Sequence, residues 1–251
     1  MAPYDALAGV YDRWTADAAY DDWASFVDNL VPASGSGRTI LDLCCGTGRL
    51  STALADRGFR VVGVDRSDAM LERARASLPD GTVLVRADLP DGLPAIDPYF
   101  AEPVDAAVCS FDSVNYFVGA GDLARLFGQV ARRLRPAGVF VFDLNTRHKL
   151  ETVFGSSHYG DDQGDFAYVW RNRQHPAERI TEFLITLFTR DGAGWVRSEE
   201  HHRQRWFAHE EVRAAAGSAG LSVDSVTADY GSAPATDTTL RETWVLRAGA
   251  G

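Results

Sequence analysis

Residues 38–50 read RTILDLCCGTGRL, and this stretch decides the fold. RTILDL (38–43) is a short apolar run of the kind that forms a buried strand. The string CCGTG (44–48) follows it, and the next residues, 49–57, are predicted to form a helix. Glycines in a turn between a strand and a helix let the backbone approach a ligand closely. A glycine pair alone is weak support for a nucleotide site, because a tight strand–helix turn needs the same residues.

Strands and helices alternate on both sides of this turn. Further strands are predicted at FRVVGVD (59–65), TVLVRAD (82–88), VDAAVCS (104–110) and VFVFDL (139–144), helices at 67–78 and around 123–134, and a turn at PAG (136–138). A helix at 209–219 and two closing strands at 222–230 and 238–247 complete the pattern. Alternation of this kind predicts an α/β fold built from parallel βαβ units with right-handed crossovers.

Two regions interrupt or precede this pattern. Residues 1–36 contain a predicted helix at 19–30 and a turn at 32–37, and we expect an N-terminal helical lid. Residues 145–165 are polar and glycine-rich, and residues 147–207 are expected to form an inserted β-rich cap on the substrate side. Its three predicted strand runs are 166–174, 179–190 and 195–207. Residues 37–146 and 208–251 remain as the α/β domain.

Composition narrows the class of protein. The 251 residues include 25 Lys and Arg against 35 Asp and Glu, a formal net charge of −10. Nucleic-acid binding depends on basic patches, so no nucleic-acid partner is expected. The three cysteines lack metal-ligand spacing, and no long apolar run predicts a membrane partner. We expect a cytoplasmic protein without a metal site.

Two acidic residues stand where predicted strands end. Asp65 closes the second strand, where a carboxylate can accept hydrogen bonds from both hydroxyls of a ribose. Its alternative role is to cap the helix that follows. Asp88 closes the third strand and suits an adenine amino group, unless it is only a solvated loop residue. A dinucleotide site is disfavoured, because Ser51 replaces the third glycine and the Asp42 carboxylate would repel a pyrophosphate.

These segments together resemble the class I S-adenosylmethionine-dependent methyltransferases. LDLCCGTGRL (41–50) resembles motif I, VVGVDRS (61–67) the ribose-binding segment and RAD (86–88) the adenine-side segment. SFDSVNYF (110–117) and LRPAGVFVFDLNT (134–146) also fit. The chain is most similar to the small-molecule branch with a β-sheet cap, which includes glycine, sugar-amine and antibiotic-tailoring N-methyltransferases. The resemblance implies a Rossmann-like, seven-stranded sheet with an inserted antiparallel β cap, and S-adenosylmethionine as cofactor.

The resemblance also implies a set of cofactor contacts. The residues that match are Tyr11, Tyr20, Cys44, Gly46, Gly48, Asp65, Arg66, Asp88, Leu89 and Ser110. One departure is Cys44, which stands where the family often has the first of three glycines. Its thiol narrows the room beside the methionine part of the cofactor.

Four residues are candidates for the catalytic side of the site. Tyr11 matches tyrosines that line the methyl-transfer channel in similar enzymes. Asn115 and Phe117 follow the fourth strand, although Asn115 also suits a turn cap and Phe117 the core. His201 and its neighbour His202 lie on one predicted strand, so they point to opposite faces and at most one faces the cleft. Histidine as a residue type is suited to act as a base near neutral pH.

The predicted function is N-methylation of an amine on a small natural product of the antibiotic-biosynthesis type. Its partner is then a small-molecule amine acceptor, and a homo-oligomer stays open. The first alternative is O-methylation with a cap histidine as base, since oxygen nucleophiles usually need one. The second is a cofactor-binding module without catalysis.

Overall fold

Two β-sheets organise the computed structural model, which describes residues 4–32 and 38–250. The central sheet contains β1 (Arg38–Leu43), β2 (Phe59–Asp65), β3 (Val83–Arg86), β4 (Val104–Cys109), β5 (Leu134–Asn145), β10 (Leu221–Ala228) and β11 (Arg241–Ala248). The cap sheet contains β6 (His158–Asp162), β7 (Phe166–His175), β8 (Ile180–Asp191) and β9 (Gly194–Arg205). The helices are α1 (Tyr11–Trp14), α2 (Tyr20–Leu30), α3 (Arg49–Ala55), α4 (Asp68–Ser77), α5 (Asp122–Ala131) and α6 (His209–Ser218).

The central sheet has seven strands in the order β10-β11-β5-β4-β1-β2-β3. Strand β11 runs antiparallel to β5 and β10, whereas β1 to β5 pair in parallel. This is the predicted Rossmann-like methyltransferase sheet, and the prediction is confirmed. Because the order reverses beside β1, the carboxyl ends of β1 and β4 border the crevice where open α/β sheets bind ligands.

Both faces of the central sheet are buried, as a parallel sheet requires. On one face Phe140 and Phe142 pack against Phe127 of α5, with ring centroids 5.5 and 5.2 Å from that ring. On the other face Trp23 and Val27 of α2 belong to the core cluster. The predicted helix over 19–30 therefore covers the sheet.

The cap sheet is antiparallel throughout, in the order β6-β7-β8-β9. Its inner face buries Phe166, Ile185 and Leu187 against Leu7 and Val10 from the start of the chain. The segment that was predicted to form a lid therefore packs on two different surfaces. Residues 4–14 pack on the cap, and α2 packs on the central sheet.

Several local expectations were wrong or fall outside the described residues. No element was predicted within the polar, glycine-rich residues 145–165, but they hold a π-helical segment at His148–Phe154 and strand β6. The predicted turn at 136–138 lies inside β5 as an irregularity, with Ala137 at φ +59°. The turn at 32–37 and the lid boundary at 36 lie outside the described residues, apart from residue 32. Among residues 4–32 and 38–250, no helix is long and apolar enough to cross a membrane.

Candidate functional site

Two cavities meet at the carboxyl edge of the central sheet. We call the first the motif cavity; it is lined by Tyr4, Tyr11, Tyr20, Cys44, Cys45, Gly46, Thr47, Arg49, Leu50, Asp65, Arg66, Met70, Ala87, Asp88, Leu89, Ser110, Phe111, Ser113, Tyr116, Phe117 and Asp122. We call the second the cap cavity; it is lined by Tyr4, Leu7, Tyr11, Trp14, Thr15, Asp17, Ala18, Ala19, Trp23, Phe111, Asp112, Tyr116, Asn145, Lys149, Phe154, Trp170, Phe183, Ile185, His202, Gln204, Asp229 and Arg241. Four residues belong to both lists, namely Tyr4, Tyr11, Phe111 and Tyr116, and these four form the junction.

Asp65 lies at the centre of the motif cavity wall. Its two carboxylate oxygens accept hydrogen bonds from the backbone N–H groups of Gly46 and Ser67, both at 2.9 Å. Burial raises the pKa of Asp65, and the backbone donors of Ser67 and Gly46 oppose that rise. Since a carboxylate offers about four lone-pair sites, each oxygen can still accept another donor from the cavity. The helix cap proposed as its alternative role belongs to Ser67, whose Oγ accepts from Met70 N at 3.3 Å.

The two glycines of the turn have different roles. Gly46 has φ +55°, lines the motif cavity, and a Cβ placed there meets no described atom within 4 Å. Gly48 has φ +82° and is absent from the lining; its Cβ would come within 3.1 Å of Ala74 and Leu78. The structure therefore does not bring Gly48 to the cavity wall, and Gly48 instead lets α3 begin close against α4.

The far end of the motif cavity is more exposed. Arg66 Nε lies 3.8 Å from Asp88 Oδ1, and both side chains are at least half exposed. Leu89 packs beside them against the hydrophobic core. The other predicted cofactor contacts Tyr20, Cys44 and Ser110 also line this cavity. These residues, which were selected from the sequence, therefore lie together at the carboxyl edge of the central sheet.

Asp42 lies below the cavity wall and outside both linings. It is buried, and its Oδ2 accepts the hydroxyl of Ser51 at 2.5 Å. Burial raises the pKa of Asp42 to about 7, which the bond from Ser51 opposes. Ser51, which replaces a dinucleotide-site glycine, is thus the partner of this carboxylate.

The junction depends on an unusual turn after β4. Phe111 and Asp112 both have positive φ, +59° and +51°. Asp143 holds this turn, because its carboxylate accepts the N–H of Phe111 at 2.8 Å and also that of Asp112. Tyr230 donates to the same carboxylate at 2.7 Å. Burial raises the pKa of Asp143 to about 6, against the opposing charge of Arg241.

Asn115 does not line either cavity. It is buried, its amide nitrogen donates to the carbonyl oxygens of Asn145 and Arg205, and its oxygen accepts from Asn145 N. The structure therefore does not bring Asn115 to the acceptor side, because its side-chain amide is bonded to β5 and to the cap. Phe117 lines the motif cavity, not the cap cavity, and packs in the main core.

Of the two neighbouring histidines, His202 faces the cap cavity, whereas His201 was the one selected from the sequence. His201 is exposed, and His202 is 2% exposed and lines the cap cavity. The register that pairs Leu184 with His201 and Phe183 with His202 sets this orientation. The structure therefore places His201 outside both cavities, on the outer face of the cap sheet.

The cap cavity combines aromatic walls with charges of both signs. Trp170 and Phe183 meet with ring centroids 5.3 Å apart, and Phe154 lies 5.8 Å from Trp170. The Nε1 atom of Trp170 is buried and has no hydrogen-bond partner among the described residues. Burial raises the pKa of the Asp112 carboxyl, opposed by Lys149 and Arg241. These features suit an acceptor with apolar surface and at least one polar or cationic group.

Sequence reasoning missed part of this site. Tyr4, Phe111 and Tyr116 were not selected, although Tyr4 precedes Tyr11 and the other two flank chosen residues in SFDSVNYF. Glu200 and Gln204 share the alternation of His202 along β9, and that spacing of two was the available signal. Within the described ranges, no group of three or more His, Cys, Asp or Glu residues is arranged to hold a metal ion.

Comparison with known proteins agrees with this geometry. A methyltransferase-domain family model matches residues 40–138. The chain is 33% identical over 229 residues to a putative methyltransferase of Bacillus subtilis, covering 90% of each chain. It is 30% identical over 208 residues to the dTDP-3-amino-3,6-dideoxy-alpha-D-glucopyranose N,N-dimethyltransferase of Streptomyces fradiae, covering 81% of this chain and 76% of that one.

A solved structure extends the likeness to the whole chain. An S-adenosylmethionine-dependent methyltransferase from Clostridium acetobutylicum has a TM-score of 0.81 and 27% identity, covering 98% of this chain and 99% of that one. The chain therefore belongs to the methyltransferases. Within them it is a class I S-adenosylmethionine-dependent enzyme, and both the predicted family and the predicted cofactor are confirmed.

Proposed function

We propose that the protein transfers a methyl group from S-adenosylmethionine to an amine of a small natural product, in the manner of antibiotic-tailoring enzymes. The observation that carries the proposal is the junction of the two cavities at Tyr4, Tyr11, Phe111 and Tyr116. In-line transfer needs the donor and acceptor held at the two sides of one narrow opening. An aromatic junction between a motif cavity and a second cavity meets that requirement.

The motif cavity has the features that the cofactor requires. Asp65 is proposed to accept the ribose hydroxyls with the lone pairs that Gly46 and Ser67 leave free. Asp88 and Leu89 would border the adenine, and Cys44, Gly46, Tyr11 and Tyr20 the methionine part. The open space at Gly46 supports this placement, because a side chain at that position would enter the cavity. When bound, the cofactor supplies an electrophilic methyl group on a positively charged sulfur.

The cap cavity is proposed to hold the amine acceptor. Aromatic rings such as Trp170 and Phe154 attract a cationic group through their faces, and Asp112 supplies a carboxylate. Positioning and exclusion of water then account for most of the acceleration that the residues themselves provide. The Streptomyces fradiae relative carries N,N-dimethyltransferase in its name, which supports nitrogen as the accepting atom.

O-methylation is the second candidate, and one observation favours it. His202 lies in the cap cavity with its Nδ1 atom 3.2 Å from the hydroxyl of Tyr116. An oxygen nucleophile needs a base of this kind more than a neutral amine does. A cytoplasmic location is also part of the proposal, and the number of subunits stays open.

Two measurements test the proposed function. Calorimetry on stripped protein should show micromolar binding of S-adenosylmethionine and S-adenosylhomocysteine. Labelled cofactor is then supplied with matched pairs of amines and alcohols on the same apolar frame, including weakly basic aromatic amines. Methylation of the amines alone supports the proposal, and methylation of the alcohols alone supports O-methylation. Cofactor binding without transfer to any member of the panel contradicts both and favours a binding module.

A further inference from the structure

Four side chains form one continuous hydrogen-bonded chain from the cap to the junction. Glu200 Oε2 lies 2.9 Å from His202 Nε2, and His202 Nδ1 lies 3.2 Å from the hydroxyl of Tyr116. The hydroxyl of Tyr116 in turn lies 2.7 Å from that of Tyr4. Glu200 and His202 are 3% and 2% exposed, while Tyr116 and Tyr4 line both cavities. The chain therefore begins in buried protein and ends where the acceptor must lie.

Glu200 also binds the start of the lid. Its carboxylate accepts the backbone N–H groups of Tyr4 at 2.7 Å, Ala6 at 2.8 Å and Leu7 at 2.9 Å. Burial tends to raise the pKa of Glu200, but the bonds from His202, Tyr4 and Leu7 lower it below the ordinary glutamate value. The group is thus a carboxylate that accepts four hydrogen bonds and donates none.

This arrangement fixes the direction of every bond in the chain. A carboxylate can only accept, so His202 Nε2 must carry the hydrogen that bonds to Glu200. In the neutral ring Nδ1 then has a free lone pair, which accepts the hydroxyl hydrogen of Tyr116. The oxygen of Tyr116 accepts from Tyr4, as the geometry records. The oxygen of Tyr4 is left with lone pairs at the junction.

We propose that this chain carries the acceptor's proton away, with His202 as the final proton acceptor and Glu200 as the residue that positions it when the lid is in place. The proposal rests on the proposed N-methylation and adds the path of the proton. The conjugate acid of an alkylamine has a pKa of about 10, so at neutral pH the amine enters the cap cavity as the ammonium cation. It must lose a proton before its nitrogen has a lone pair for attack.

The steps balance as follows for an alkylammonium acceptor. The ammonium gives a proton to Tyr4 Oη, Tyr4 gives its own to Tyr116, and Tyr116 gives its own to His202 Nδ1. His202 becomes an imidazolium beside the Glu200 carboxylate, which compensates the new charge. The freed nitrogen lone pair forms the new bond to the methyl carbon while the carbon–sulfur bond breaks and its electron pair stays on sulfur. His202 returns its proton to water when the lid opens.

Burial raises the pKa of Tyr4 and that of Tyr116, with neighbouring charges as further causes. Neither tyrosine therefore serves as a stored base, and each passes one proton while receiving another. Asp112 is the rival base in the same cavity, but Gln204 already donates to its carboxylate. A variant of Asp112 separates the two possibilities.

The first test needs no acceptor. Protein labelled with ¹⁵N-histidine and saturated with S-adenosylhomocysteine is compared with His202→Gln to assign the resonance of His202. The expected result is a neutral ring with hydrogen on Nε2 and a free Nδ1. Hydrogen on Nδ1, or on both nitrogens, at neutral pH overturns the proposal. Glu200→Gln should change this signature, because the amide nitrogen cannot accept from Nε2; an unchanged signature also overturns it.

The second test compares two acceptors from the amine panel, a primary alkylamine and a weakly basic aromatic amine that is neutral at pH 7. Single-turnover rates of Tyr116→Phe and His202→Gln should fall by about 100-fold or more with the alkylamine and by less than about threefold with the aromatic amine. The matched control is His201→Gln, the exposed neighbour, which should keep the natural rates. S-adenosylhomocysteine affinity confirms that each variant is folded.

The outcomes separate the proton path from the reaction itself. Equal losses with both amines indicate a structural role and overturn the proposal, as do unchanged rates with both. Loss confined to the alkylamine in Asp112→Asn, with His202→Gln unaffected, assigns the base to Asp112 instead. If no amine is methylated, the proposed function fails, and the histidine spectra still decide whether the chain of bonds has the stated direction.

Discussion

The motif cavity and the cap cavity are built in different ways. The first draws its central wall from consecutive segments at the ends of β1 and β2, and Asp65 bonds directly to Gly46 and Ser67. The second needs the lid, the turn after β4, the cap and the last strand together, with Glu200 bonded to Tyr4 across almost the whole chain. The comparison teaches that local sequence can specify a cofactor site, whereas an acceptor site depends on long-range packing.

The largest effect is expected for Asp65→Ala, which tests the local construction of the motif cavity. Loss of the hydrogen bonds to a charged acceptor should weaken S-adenosylhomocysteine binding by about 1.5–3 kcal/mol, or about 10- to 150-fold. Calorimetry measures this. The matched control is Asp91→Ala, whose carboxylate is 69% exposed beside Arg125 and does not line the motif cavity, and which should leave the affinity unchanged. Equal losses for the two variants, or none for Asp65→Ala, would remove Asp65 from the ribose position.

The next effect concerns the buried carboxylate under the motif cavity. The Asp42 carboxyl has an ordinary pKa of 3.8 and a folded pKa of about 7. Between these values the unfolded chain has released the proton while the folded chain keeps it, so stability falls as pH rises. The side chain of Asp42→Asn cannot ionise. The free energy of unfolding of this variant, relative to that of the natural protein, should therefore rise by up to about 1.4 kcal/mol per pH unit in that window.

Urea unfolding of both proteins at pH 5 and pH 6.5 measures this gain. A difference in unfolding free energy that stays constant between the two pH values would contradict the raised pKa. The same experiment on Asp143→Asn, whose folded pKa is about 6, should show a narrower window.

A smaller effect is expected at the contact between lid and cap. Glu200→Gln keeps one oxygen for the N–H groups of Ala6 and Leu7 but presents an amide donor to Tyr4 N. Hydrogen exchange at the Tyr4 amide should accelerate by about tenfold or more, because a hydrogen bond to a charged group contributes at least about 1.5 kcal/mol. Mass spectrometry of the first peptides measures it, with α2 as the internal reference. Equal acceleration in α2 would indicate general destabilisation. It would contradict the prediction that Glu200 stabilises only the contact between residues 4–14 and the cap.

The smallest effect tests whether acceptor binding in the cap cavity can be changed without changing cofactor binding in the motif cavity. Trp170→Phe keeps an aromatic wall and removes the buried Nε1 donor. The KM of the best amine from the panel should rise by about 2- to 12-fold, which corresponds to the loss of about 0.5–1.5 kcal/mol of binding free energy from one hydrogen bond. The affinity for S-adenosylhomocysteine should stay the same. Steady-state kinetics and calorimetry measure the two quantities. A change in cofactor affinity alone would show that the cavities are not separable at Trp170.

The same contrast explains what the sequence allowed us to predict. Strands β1 and β2 have the predicted bounds, because a short apolar run next to a glycine turn has few alternatives. The packing of α4 against Gly48 was not predicted, since nothing local reveals it. For the histidine pair, alternation established that one residue faces inward, but only the register with β8 decides which. The hydrogen bonds of Asn115 were not foreseen for a similar reason, because its partners lie in β5 and β9.

The sharing of Tyr4 and Tyr11 between the two cavities has a kinetic consequence. Because these two residues border both cavities, we expect spent cofactor to leave past the segment that also encloses the acceptor, so that its exchange uncovers the acceptor side. An amine that receives more than one methyl group would then be released between turnovers. Such a reaction is distributive, and the monomethyl product should accumulate in solution before the dimethyl product forms.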